Sequence, residues 1–128
     1  TQKGYTMKIW IGKVVVLIGC IHTLFGFVML WPIFQNLLAA GLINTVNGQL
    51  DREAFFWFIH FGVALILLGA LIDWVEKQGN AWPSWLAWSL LIWTIVLVAV
   101  MPVSGAWLML IPAIGALRRQ KQMTSARN

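Results

Sequence analysis

Residues 11–31 read IGKVVVLIGCIHTLFGFVMLW, and Lys13 is the only charge among them. A bilayer core of about 30 Å takes roughly 20 helical residues. The stretch has that length, and Lys13 lies close enough to its end to snorkel. It reads as a transmembrane helix, and the rest of the chain repeats the pattern three times. A second apolar run covers 54–72 and a third covers 84–101, with Trp82 at its approach. A fourth covers 103–117, only about 22 Å at 1.5 Å per residue. It contains Pro112, so a kinked or partly embedded helix is expected. Only Met101 to Gly105 separates the last two runs, and Pro102 suits the first turn of a helix.

The expected fold class is therefore all-α. It is a four-helix transmembrane bundle of two antiparallel helical hairpins, forming one membrane domain over 1–128. Composition agrees. Hydrophobic residues make up 60% of the 128 and charged residues 10%, against about 45–50% and 25% in soluble domains. A soluble enzyme, a disordered tail and a secreted disulfide scaffold are excluded. Cys20 is the single cysteine, so no intrachain disulfide is available.

The first 30 residues have a basic start and an apolar stretch, as a secretory signal does. The stretch is too long, no small-residue cleavage site follows, and three more spans do. Met7 is a candidate internal start, with Thr1 to Thr6 as an extension. The net charge of +5 marks membrane topology rather than nucleic-acid binding, because the basic residues flank the apolar runs. Lys3, Lys8, Lys13, Lys77, Arg118, Arg119, Lys121 and Arg127 fall on one side and only Arg52 on the other. The positive-inside rule then places both termini in the cytoplasm, in a bacterial inner membrane. Trp10, Trp31, Trp74, Trp82 and Trp85 stand at the ends of runs, where indole rings anchor at the interface.

The long loop from Pro32 to Glu53 should carry a short interfacial helix at about 33–41. Phe34, Leu37, Leu38, Gly41 and Leu42 form its apolar stripe. Asn47-Gly48 is a turn signal after it. The loop is expected outside the cytoplasm, as a cap over the bundle.

Ionisable groups inside a membrane invite a functional reading. The acids Asp51, Glu53, Asp73 and Glu76 all fall at the expected membrane surfaces, which counts against a proton- or cation-coupled transporter. Only His22 and His60 are deep. They lie about 13 and 9 Å from the outer ends of neighbouring antiparallel spans. Two imidazoles at one level are candidate axial ligands for haem b, or half of a metal site. The bland alternative is an imidazole satisfied within a helix interface. Gly12, Gly19 and Gly26 form a heptad stripe that includes the His22 face. With Gly62 and Gly69 they read first as close helix packing. Asp73 and Lys77 are spaced as an i, i+4 pair, and Lys13 with Asp73 is a candidate ion pair closing the first hairpin. The serines and threonines are too scattered to suggest a nucleophile, and no catalytic residue is assigned.

The stretches Gly19-x-x-His22-Thr23-Leu24-x-Gly26, Phe56-Trp57-Phe58, Leu71 to Gly79 and Met101-Pro102-x-Ser104-Gly105 have a further meaning. On them the chain resembles a family of small bacterial four-helix membrane proteins of unknown function. The resemblance implies fold and location, with the first-span histidine typical and position 60 often not histidine. It implies no activity. The expected role is a non-catalytic membrane component embedded in the lipid bilayer, as a homo-oligomer or a subunit of a larger membrane complex. The alternatives are a haem b-binding or electron-transfer protein using His22 and His60, and a site for lipid, quinone or hydrophobic solute under the outer loop.

Overall fold

The structure, a computed structural model, describes residues 8–79 and 82–128. Met7 and Lys3 lie outside them. The described residues form five α-helices and one 3-10 helix and no strand. They are α1 (Ile11–Met29), α2 (Trp31–Ala39), α3 (Leu50–Lys77), α4 (Ser84–Val100) and α5 (Leu110–Ser125), with the 3-10 turn Gly105–Met109 leading into α5.

Two helices, α1 and α3, are long and apolar enough to cross a membrane. At 1.5 Å per residue their 19 and 28 residues measure about 28 and 42 Å. The α4 helix is apolar and shorter, at 17 residues. The expected fourth span is not a single helix. Its first part is the 3-10 turn, and α5 begins at Leu110 and runs past Leu117 to Ser125. Pro112 therefore sits in the first turn of α5 rather than mid-helix. Its missing N–H removes no helical bond there, and the expected kink has no cause. Pro102 stands in the bend before the 3-10 turn, where its carbonyl accepts from Trp107 Nε1 at 2.8 Å. Ser104 caps that turn, accepting from the Ala106 N–H at 3.3 Å and donating to the Met101 carbonyl at 2.7 Å.

The loop helix forms two residues earlier than its stripe suggested, because Pro32 can occupy its first turn. It ends in a Schellman motif. Gly41, at φ 94°, donates to Leu38 at 3.1 Å, and Leu42 donates to Leu37 at 3.3 Å. Arg52 then ties the loop to α3. Its Nη2 and Nε donate to Asn36 Oδ1 at 2.6 and 3.0 Å, and its Nη1 donates to the Thr45 carbonyl at 2.7 Å.

The helix α1 is the centre of the arrangement. It packs along α3 on one side and against α5 on another, and α4 packs on α5. Its start meets the end of α3 and its end meets the beginning of α3, so the two are antiparallel. Glycine makes the approach close. A Cβ on Gly12 would lie 2.6 Å from the Gly69 carbonyl oxygen and from Asp73 Cα. One on Gly19 would lie 3.0 Å from the Gly62 oxygen. One on Gly26 would meet the Phe58 ring at 2.6 Å. The two glycine series mesh in heptad register, so dispersion between backbones replaces side-chain interdigitation. The α3 and α4 helices meet only through side chains, as where Phe61 tilts onto Trp93 at 5.5 Å.

Candidate functional site

His22 projects from α1 onto α3. Its ring stacks on Phe58, with centroids 4.0 Å apart and planes 15° apart, and meets Phe61 edge-on at 5.3 Å. Its Nε2 pairs with the Phe58 carbonyl at 3.1 Å. Gly62 makes room for it, since a Cβ there would lie 3.1 Å from His22 Cδ2. His60 is exposed on another face of α3. Its Nδ1 pairs with the Phe56 carbonyl one turn back at 2.8 Å, and its ring stacks on Phe56. The two histidines do not converge. Positions 58 and 62 face α1, and position 60 is about 200° around the helix from 58. Each ring is held by a backbone carbonyl and a neighbouring aromatic. Among the described residues no three of His, Cys, Asp and Glu come together as a metal site. Cys20 is exposed.

The polar cluster that the structure does build is at the other end of α1. Glu76, 2% exposed, points from the last turn of α3 at the start of α1. Its carboxylate accepts from the N–H of Gly12 at 2.9 Å and of Ile11 at 3.4 Å. A third donor is Arg119 Nη1 from α5. Arg119 is itself 6% exposed, and its guanidinium lies 6.0 Å over the Trp82 ring. The cluster is explicable from the residues up. The first four N–H groups of a helix have no internal partner, and Trp10 at the N-cap offers no oxygen. A carboxylate brought in from α3 satisfies two of those donors and complements the positive end of the helix dipole. Its charge is then matched by Arg119. One cluster thereby joins α1, α3, α5 and the residue leading into α4.

The spacing of Asp73 and Lys77 is realised as an ion pair at 2.5 Å. The suggested Lys13–Asp73 pair does not form. Gly12 abuts the backbone of Asp73, which turns the next residue, Lys13, outward and leaves it exposed. Trp82 is not an interface anchor but a core residue, 4% exposed beneath Arg119. Trp10 is half-buried against Gly115, while Trp31, Trp74 and Trp85 are exposed.

The pairing of Glu76 with Arg119 was missed because both residues sit in charged runs that read as solvated ends. A signal was present. Gly62, Gly69 and Glu76 are seven apart, so Glu76 continues the buried seam. Arg119 falls seven after Pro112 and three after Ala116, on the buried face of α5, whereas Arg118 and Lys121 fall off it.

A family of unknown function, DUF6463, matches residues 6–123. The chain belongs to that family. The matched stretch takes in the glycine seam, both histidines, Glu76 and Arg119. No curated protein and no solved structure matches the chain.

Proposed function

We propose that the chain is a multi-pass protein of the bacterial inner membrane with a non-catalytic role. It acts there as a self-associating component or an accessory subunit. In this reading α1, α3, α4 and the 3-10 turn with α5 are four spans, and both termini are cytoplasmic. One observation carries it. The two long apolar helices are only 33% and 28% buried within the protein over their apolar windows. A core helix of a soluble protein would be mostly buried. A helix that is apolar all round and still uncovered needs an apolar solvent. Leu17, Ile21, Leu24, Phe25 and Val28 form a continuous exposed stripe on α1, and Trp85, Trp88, Ile92 and Val96 do so on α4.

The non-catalytic part rests on how the polar groups are used. Glu76 and Arg119 neutralise each other, and each histidine is already bonded to a carbonyl. Haem b ligation is the second reading and draws less support, since His22 and His60 face different ways.

Three measurements test the proposal. Alkaline carbonate should leave the protein in the membrane pellet, and release into the supernatant would refute membrane integration. In a Cys20→Ser background, Asn44→Cys should react with an impermeant maleimide in intact cells, and Ser125→Cys only after permeabilisation. The reverse pattern would refute the orientation. Native mass measurement in mild detergent should show an oligomer or a bound protein partner. A bare monomer would refute the component role, and a Soret band in protein from haem-supplied cells would favour the second reading.

A further inference from the structure

A groove of about 450 Å³ opens beside the buried cluster, between the start of α1 and the face of α5. Lys8, Arg118 and Arg119 line it together with the amide of Gln122. Ile111 and Ile114 continue it along α5 away from the charges, and both are exposed. Three features of the groove point to a ligand. First, neither Lys8 nor Arg118 has a carboxylate partner among the described residues, because Asp73 is paired with Lys77 and Glu76 with Arg119. Second, Arg119 is more than nine-tenths buried and lines the groove. Its guanidinium is held by Glu76, so the groove has a fixed basic residue in its wall beside Arg118 and Lys8. Third, polarity changes along the groove from cationic and amide groups to bare isoleucine, as an amphiphile does from headgroup to chain.

We infer that this groove binds an anionic phospholipid. The phosphate sits among Lys8, Arg118, Arg119 and Gln122, and an acyl chain lies along Ile111 and Ile114. Planar guanidinium groups suit phosphate oxygens, and basic pockets between helices at the cytoplasmic side are where anionic headgroups bind. The site lies at the end of the molecule opposite the outer loop, at the level of the ends of α1 and α3. The inference rests on the membrane reading above, which supplies the lipid and its depth.

The test is native mass measurement of the detergent-solubilised protein with equal amounts of dioleoylphosphatidylglycerol and dioleoylphosphatidylcholine. The phosphatidylglycerol adduct should dominate by about tenfold or more. Near an anionic partner each basic side chain contributes roughly fivefold, so Lys8→Gln with Arg118→Gln should weaken that adduct about 25-fold. Both residues are exposed, and an unchanged circular dichroism melt confirms that the variant folds. Equal retention of phosphatidylcholine, or full retention of phosphatidylglycerol by the double variant, would overturn the inference. So would inorganic phosphate that binds alone and strips the lipid, which would make the groove a free-anion site. A chain that stays in the carbonate pellet but does not select the anionic lipid loses this inference alone. A chain released by carbonate loses the membrane reading as well.

Discussion

Glu76→Ala is expected to be among the most damaging single substitutions in the chain. The carboxylate answers three donors: the N–H groups of Ile11 and Gly12, and Arg119. Removing it leaves Arg119 charged, buried and without its partner. Breaking a buried pair from one side costs about 3–5 kcal/mol. Losing the cap on α1 adds about 1 kcal/mol. The total, about 4–6 kcal/mol, is comparable to the whole stability of a marginal domain. At about 4 °C per kcal/mol for a chain of this size, Tm should fall by roughly 15–25 °C. The assay is a circular dichroism or tryptophan-fluorescence melt of the purified protein in mild detergent. The decisive comparison is Glu76→Leu combined with Arg119→Met. That pair removes both charges and keeps the volume, so only the two uncapped N–H groups remain, worth about 1 kcal/mol. It should melt within about 5 °C of the parent. A single variant melting within about 3 °C of the parent would refute the reasoning, and so would a double variant no better than the single.

The glycine seam makes a second prediction. Gly12→Ala places a methyl 2.6 Å from backbone atoms that cannot rotate away, so a loss of about 3 kcal/mol is expected. Gly105→Ala meets nothing within 4 Å and should cost under about 0.5 kcal/mol; equal melts for the two would count against the close approach of α1 and α3. His22→Ala forfeits an aromatic stack and an interhelical hydrogen bond, about 1–3 kcal/mol together. His60→Ala loses only contacts within its own helix at an exposed position and should cost under about 1 kcal/mol, so equal losses would argue that the histidines act as a pair. Arg52→Ala cuts the ties from α3 to Asn36 and Thr45. Limited proteolysis should then cleave between Ala40 and Gln49 several-fold faster with little change in Tm, and an unchanged cleavage rate would show that the Schellman turn alone holds the loop.

Helix content was legible because long apolar runs and their punctuation are local properties. Ile11 and Ser84 mark helix starts in both the residues and the structure. The extension of α3 to Lys77 was not legible from hydropathy, since Asp73 and Lys77 interrupt the apolar run without interrupting the helix. The break before Leu110 was also hidden. A 3-10 turn and an α-helix share the same apolar composition, and the capping of Gly105–Met109 by Ser104 depends on geometry rather than hydropathy. At the candidate site the heptad spacing of Gly12, Gly19 and Gly26 was readable, while the helix they meet is given by the structure. The role of Glu76 was not readable, because a charge at the end of an apolar run carries the same letter whether it faces water or caps a neighbouring helix. The difference is decided by Arg119, 43 positions later.

That separation has a consequence for how the chain is made. Glu76 and the start of α1 are both in place once α3 has emerged, but the counter-charge has not yet been translated. At about 5–20 residues per second, the 43 intervening positions take roughly 2–9 seconds. During that interval the Glu76 carboxylate has the two N–H groups of α1 but not its counter-charge, which arrives with α5. The α5 helix thus completes a cluster that α1 and α3 begin. A chain stopped just before Arg119 should be degraded faster in a pulse-chase than one stopped just after Ser125, although both contain every apolar segment.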